Sequence, residues 1–411
     1  MNRTSLLTAL KEKIRYRVQY PLRYAADNVR LSLNRKGVTP TRILIASDNL
    51  AVTSDEQFAP LFADRDYIRE ELGIIFDQRQ VDEVLTSTRV DTSSYSAVFA
   101  KLSFVTPAQL AIEKITRLRH LFPHPVKLIY FDGDDDSCIQ WGGDLLALVD
   151  LYVKKHMFAD ISWYQKQFVG KNNLTDYVSR EHGISFAQNF IPHSNPVPES
   201  LLNKIVLGYN IGLDDKITQL FNETRPALPS EKTVDVMCRA ACKPDLWIYP
   251  LRGPINQALA PLTTQGYNVL VPNQRVDQAG YYQEMRSSRI CISPFGYGEL
   301  CWRDFETVLM GCLLVKPDMS HIRTEPNIFI PGVTYVPVKW DFSDLAEVCA
   351  RYLADDDARI AITQRAYQVL SDYYANRGFL KSLREILARA GVDSFDSIPS
   401  EHTATLPEAR N

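Results

Sequence analysis

The stretch Ser293-Pro-Phe-Gly296-Tyr-Gly298-Glu-Leu-Cys-Trp-Arg303-Asp-Phe-Glu306-Thr-Val-Leu-Met-Gly311-Cys-Leu-Leu-Val315-Lys-Pro-Asp318 reads as a strand end, a glycine turn, a helix, a second glycine and a short apolar strand. A helix that starts behind a glycine turn presents unpaired N–H groups and a partial positive charge, which together attract an anion. Gly296 and Gly298 are expected to let the backbone come close to a ligand. Arg303, in the first turn, adds a cation suited to phosphate. Glu306 follows one turn later on the same face and can accept hydrogen bonds from two vicinal hydroxyls. The plain alternative is an exposed ion pair between the two, worth roughly a few tenths of a kcal/mol. The preceding strand and paired glycines favour a site for phosphate plus diol, which is the ribose-diphosphate end of a nucleotide sugar.

The same alternation continues on both sides. Val234–Cys238, Tyr267–Val271, Arg289–Ser293 and Gly311–Val315 are short apolar runs, with helical patterns over Pro254–Gly266 and Ala279–Ser287. Leu345–Tyr374 is helical, with a break expected at Asp355–Asp357. Upstream, Arg42–Asn49, Ser94–Ser103, Val126–Asp132 and part of Leu145–Lys155 read as strands, and 54–84 and Pro107–Leu121 as helical. Buried strands that end in polar residues and alternate with helices argue parallel sheets covered on both faces. The chain of 411 residues suits two domains. The expected class is α/β, with two Rossmann-like doubly wound units at 41–205 and 206–393. Their connection falls within 192–232, which is rich in proline, asparagine and charge.

Apolar residues make up 45% and charged residues 23% of the chain, and the net charge is −3, which does not describe a nucleic-acid binder. Residues 1–36 differ: they carry nine Lys or Arg against Glu12 and Asp27. Within the helical pattern over 4–34, expected to be interrupted at Pro21, Leu7, Leu10, Ile14 and Val18 form one stripe. Lys11, Lys13, Arg15 and Arg17 fall mostly elsewhere. Such a helix can lie on an anionic membrane surface or pack on its own domain. No run of apolar residues is long enough to span a bilayer, and no apolar signal core is present. Seven cysteines, an odd count set mostly in apolar runs, fit reduced core thiols better than a disulfide framework. Cys238 and Cys242 have no second ligand pair nearby, so zinc is not expected. The expected location is cytoplasmic, with possible peripheral attachment to the inner face of the cell membrane. The tail 394–411, polar and containing Pro399 and Pro407, is expected to be disordered.

The opening segment resembles the donor-binding motif of two-domain glycosyltransferases of the GT-B architecture. Gly296-Tyr297-Gly298, Arg303 and Glu306 resemble the Gly-Tyr-Gly…Arg…Glu pattern of exostosin-like transferases, and Glu306–Val315 is similar to the stretch around the second glutamate of the group-1 transferases. The resemblance implies a GT-B fold with two Rossmann-like domains facing a cleft. It also implies a nucleotide-sugar donor in the C-terminal half and a glycan or lipid-linked acceptor in the N-terminal half, as in bacterial surface-glycan synthesis. On it, Arg303 contacts the donor diphosphate and Glu306 the ribose. The group-1 pattern has another glutamate eight residues before the second, where this chain has Gly298; Glu299 is one residue out of phase. A retaining mechanism is therefore not implied.

Further residues sit where strands end. Asp132, Asp134 and their neighbours in Asp132-Gly-Asp-Asp-Asp136 could bind a metal beside a diphosphate, serve as a base, or form an Asp-rich turn. A GT-B site holds the diphosphate with a helix N-terminus and basic residues, so no metal or other cofactor is expected. Asp48 and His156 are the other base candidates. Arg252 follows a C-terminal strand and could assist the leaving group. Glu299 could orient a sugar hydroxyl. Tyr281, Tyr282, His321 and Arg323 could face the donor or simply pack. Two other classes fit less fully: a non-catalytic glycan- or nucleotide-binding protein on a transferase scaffold, and a metal-dependent phosphotransfer or hydrolytic enzyme built on Asp132–Asp136.

Overall fold

A computed structural model describes residues 14–34, 39–48, 57–87, 90–139, 141–186, 196–240, 242–272 and 274–392. Leu7, Leu10, Lys11, Lys13, the tail 394–411 and part of the expected connection (192–195) lie outside the described residues. The N-terminal half contributes β1 (Thr41–Ser47), β2 (Ile74–Gln80), β3 (Ala97–Lys101), β4 (Lys127–Asp132), β5 (Leu151–Lys154), β6 (His156–Phe158) and β7 (Ile205–Leu207). All but β6 form a parallel sheet in the order β2-β1-β3-β4-β5-β7. The C-terminal half contributes β8 (Val234–Met237), β9 (Val269–Leu270), β10 (Ser288–Ile292), β11 (Leu313–Pro317), β12 (Ile322–Thr324) and β13 (Val336–Val338). All but β12 form a second parallel sheet, β13-β11-β10-β8-β9.

Both sheets reverse their strand order at the same place, between the first and third strands of each. At that point successive connections leave toward opposite faces, and a crevice opens at the carboxyl ends. Arg252 follows β8 and the Gly296–Gly298 turn follows β10, so the two flank the crevice of the second sheet. The central strands are largely apolar on both sides because both faces are covered. Ile43, Ile45, Phe99 and Phe131 pack into one core, while Leu44, Ala46, Val98 and Tyr130 pack into another. In the second sheet Met237, Cys291 and Leu314 face one core, and Val236, Ile290, Ile292 and Val315 the other. The architecture is α/β with two Rossmann-like units facing a cleft, the GT-B arrangement.

Two local expectations are corrected. Residues 54–84 are not wholly helical. Described helices at Ala59–Ala63 and Arg65–Leu72 give way to the edge strand β2. Gly73, at φ 66°, ends the helix in the left-handed conformation, and the β-branched pair Ile74-Ile75 then starts the strand. Pro21 does not interrupt the N-terminal helix. A π-helical turn, Arg15–Gln19, runs directly into the α-helix Tyr20–Asn34, and the wider turn sits where proline removes an N–H from the ladder.

Among the described residues the halves are tied together at several points. β6 leaves the first sheet and pairs antiparallel with β12 of the second half, His156 opposite Thr324. Asn210 Nδ2 donates to Thr324 Oγ1 at 2.7 Å and to the Pro326 carbonyl at 2.9 Å. The last helix, Phe379–Ala390, returns to the first half, where Phe379, Leu383, Ile386 and Leu387 join the core of Ile43, Phe99 and Val153.

Candidate active site

The glycine turn is held by a buried polar knot. Asp304 accepts from the Cys301 amide at 2.9 Å, from Ser293 Oγ at 2.5 Å and from Lys316 Nζ at 3.0 Å. This knot caps the helix Trp302–Leu309 and fixes its start against the end of β10. Arg252 Nε donates to the Phe295 carbonyl at 2.8 Å. Its Nη2 lies 2.8 Å from where a Cβ of Gly296 would stand, so Gly296 makes room for a guanidinium. Arg303 Nε and Nη1 are inaccessible to solvent and have no hydrogen-bond partner among the described residues. Burial, followed by the Arg303 charge, pushes the Arg252 guanidinium below its ordinary pKa. Among the described ion pairs, neither arginine has a carboxylate. Two neighbouring cations without an acid, beside a helix N-terminus, have the charge arrangement that an anion site requires.

Glu306 does not pair with Arg303. It is buried and bonded to Lys216 at 2.6 Å, to Tyr281 Oη at 3.0 Å and to Tyr282 Oη at 3.1 Å. Tyr281 and Tyr282 thus hold the carboxylate. Lys216 also lies over the Trp302 ring, and Trp302 Nε1 donates to Asp214, which caps the helix Asp215–Glu223.

A cleft of about 210 Å³ separates the two halves. Gln57, Asp135 and Lys155 line it from the N-terminal half, and Arg252, Gly296, Tyr297, Gly298 and Trp302 from the other. Tyr297 is exposed, with its ring 6.0 Å from that of Trp247. At Gly298 a Cβ would stand 1.4 Å from the Asp135 carbonyl oxygen, so this glycine makes room for the other half's backbone.

The base candidates differ in how far they are already engaged. Asp132 is fully buried against Lys154 Nζ (2.7 Å), Tyr152 Oη (2.8 Å) and the Asp134 amide (2.8 Å). Burial alone would raise its carboxyl, but the Lys154 ammonium and these hydrogen bonds hold it below the ordinary range. Asp134 pairs with Lys171, which also reaches Asp136 at 2.8 Å. Asp48 is buried just past β1, and its amide donates to the Lys101 carbonyl at 2.9 Å. His156 is buried on β6, and its Nε2 lies 3.2 Å from Glu299 of the opposite half. Its Nδ1 has no hydrogen-bond partner among the described residues. Burial pushes this imidazole down, against the pull of Glu299. Burial would raise Glu299, but His156 and His321 hold it well below the carboxylate range. His321 Nε2 is 3.8 Å from Glu299, beyond hydrogen-bond distance, and its ring stacks near Trp163. Arg323 is exposed on β12.

The structure therefore gathers Gly296, Tyr297, Gly298 and Arg252 at the cleft, while Arg303 neighbours Arg252 without lining the cleft itself. Glu299 and His156 lie at its inner seam, with Glu306 behind the anion site. Asp132 and Asp134 belong to a lysine-neutralised network beside it. Among the described residues no group of three or more His, Cys, Asp or Glu side chains could hold a metal ion. All seven cysteines are free, and burial raises the Cys238 thiol to about 11. Sequence reasoning missed Lys216, Lys155, Lys171 and Asp214, and named Asp135 only as part of the Asp132–Asp136 cluster. The Lys154-Lys155 pair at a strand end was the available signal for part of this set. Lys216 and Asp214 lie in the connection, where no periodicity points to a site.

No protein-family model matches the chain, and no curated protein matches it in sequence. Several solved structures are similar in overall form. HepE of Anabaena, crystallised with UDP-glucose, is 13% identical, with 84% of this chain and 99% of HepE covered at a TM-score of 0.44. An α,α-trehalose-phosphate synthase (UDP-forming) of Burkholderia vietnamiensis is 10% identical, covering 87% of this chain and 100% of that one at 0.41. A glycosyltransferase of Rickettsia africae is 10% identical, covering 86% and 99% at 0.43.

Proposed function

We propose that the chain is a glycosyltransferase that moves a sugar from a nucleotide-diphosphate sugar to a hydroxyl of a glycan or lipid-linked acceptor. The setting its resemblance implies is bacterial surface-polysaccharide synthesis. The observation that carries this reading is the pair Arg252 and Arg303, without a carboxylate, at the strand-order reversal of the second sheet. A diphosphate supplies the missing negative charge, and the Gly296–Gly298 turn and the helix start behind it add backbone dipoles. Glu306 holds three donors against roughly four acceptor sites on a carboxylate. A ribose diol takes the remaining site and the place of Lys216. As the nucleoside diphosphate departs, Arg252 and Arg303 stabilise the growing charge, so the reaction needs no metal.

The acceptor enters from the N-terminal half, past Asp135 and Lys155. Inverting transfer requires a base near the acceptor hydroxyl. His156 suits it best, because Glu299 occupies Nε2 and leaves Nδ1 unpartnered. Asp132 and Asp134 are each committed to a lysine, which also weakens the metal-dependent reading of that cluster. No described helix is long and apolar enough to cross a membrane. We place the protein in the cytoplasm, with the N-terminal helix resting on the inner membrane surface.

Calorimetry with UDP-, GDP-, ADP-, dTDP- and CMP-sugars tests the donor site. Arg303→Ala and Glu306→Ala are expected to lose donor binding with unchanged circular dichroism. His156→Asn is expected to keep donor affinity and lose transfer. Wild-type donor affinity in both Arg303→Ala and Glu306→Ala would sink the assignment.

A further inference from the structure

A second cavity, of about 430 Å³, lies at the opposite edge of the second sheet. Its walls come from segments at the amino ends of strands: 226–232 ahead of β8, Arg289 on β10 and Gly311 ahead of β11. The helix Asp356–Ala375 closes it with Arg359, Ile360 and Tyr367. The cleft sits at the carboxyl ends of the same strands, so the two sites are separate.

Lys232 is the distinctive residue. It is 8% exposed, and its ammonium reaches the Met310 carbonyl at 3.1 Å and Cys312 Sγ at 3.5 Å. An ammonium carries three donors. The carbonyl satisfies one by capping a helix end, and a thiol is a weak acceptor. Among the described ion pairs Lys232 has no carboxylate, unlike its neighbours: Arg289 pairs with Asp235 at 3.2 Å, and Arg359 with Asp356 at 2.5 Å. Burial, with the Arg286 charge nearby, pushes the Lys232 pKa down. A buried cation short of negative charge, on the wall of a roomy and partly apolar cavity, is the pattern of an anion site awaiting its ligand.

We propose that this cavity binds a phosphate monoester carried on an apolar or aromatic body. Lys232 anchors the phosphate, with Arg289 and Arg359 beside it, while Leu228, Ile360 and Tyr367 contact the body. Lys232 supplies the charge that no carboxylate neutralises, and the paired guanidiniums of Arg289 and Arg359 add N–H donors that suit a phosphate's three oxygens better than a carboxylate's two. The proposal does not depend on the transferase reading.

Phenyl phosphate is the probe, titrated calorimetrically into the full chain. Saturable one-site binding is expected. It should weaken by about tenfold or more in Lys232→Met and in Gln364→Glu, which places an acid on the exposed rim, and persist in Arg303→Ala. Gln364→Glu keeps the test decisive if Lys232→Met does not fold. No saturable binding at millimolar phenyl phosphate would overturn the proposal. So would unchanged affinity in Gln364→Glu, loss of binding in Arg303→Ala, or equal affinity for benzoate.

Discussion

At Gly298 the missing side chain serves the opposite half of the molecule. A Cβ there would meet the Asp135 carbonyl, and backbone cannot swing aside as the tip of a side chain can. Gly298→Ala is expected to cost on the order of 1–3 kcal/mol and to lower the thermal midpoint. A midpoint equal to wild type would mean that the seam opens freely. Asp136 offers a pH test. Burial first, then the like charge of Asp134, raises its carboxyl to about 6, against the pull of Lys171. The unfolded carboxyl ionises near pH 4 (about 3.9), so between about pH 4 and 6 the folded state binds more protons and stability falls as pH rises. The penalty then persists above pH 6, on the order of 3 kcal/mol. Asp136→Asn keeps an acceptor for the Cys138 amide and removes this titration. Its stability relative to wild type should rise from pH 4 to 7 in urea melts; a flat difference would contradict the buried-acid account. That Arg303 and Glu306 share one helix behind a glycine turn was legible, because spacing and turn chemistry are local. What engages them was not, since Lys216, Tyr281 and Tyr282 come from other segments.

Among the described residues, the N-terminal helix carries an exposed apolar outer face. Ile14, Val18, Leu22, Val29 and Leu33 are exposed at intervals of four or seven residues, with exposed Arg15, Arg17 and Arg30 around them. Its inner face is anchored: Tyr16 Oη lies 3.2 Å from Ser47 Oγ, and Asp27 pairs with Arg69 at 2.7 Å. An apolar stripe amid cations suits an anionic lipid surface. The full chain is expected to float with anionic vesicles and not with neutral ones. Leu22→Glu combined with Leu33→Glu should abolish flotation without touching the core. Equal flotation of the variant would leave the helix with a packing role alone. The strands β1, β3, β4, β8, β10 and β11 were readable because a strand covered on both faces is a continuous apolar run. β2 ends in the polar run Asp77-Gln-Arg-Gln80 and sits at an edge, so its pattern merged with the helices beside it. The three-residue strands β6 and β12 are too short to carry a period, and only their pairing defines them.

For the whole molecule, the returning helix makes the first half dependent on the last residues of the second. Leu383 is fully buried among Ile43, Phe99 and Val153. Leu383→Ala is expected to cost about 2–5 kcal/mol. It should also raise amide exchange in β3, β4 and β5, although the substitution lies far along the chain. Exchange that rises only in the second sheet would show that the helix stabilises its own half instead. The sequence by itself determined the two parallel sheets and the glycine turn that leads into a helix, because hydrophobic period and turn chemistry are local. Only the tertiary structure decided the rest: that Gly298 yields to Asp135, that His156 meets Glu299 across the seam, and that Asp132 and Asp134 are neutralised by Lys154 and Lys171. Each of these depends on distance in space between segments far apart in the chain, and no residue pattern within one segment encodes such a distance.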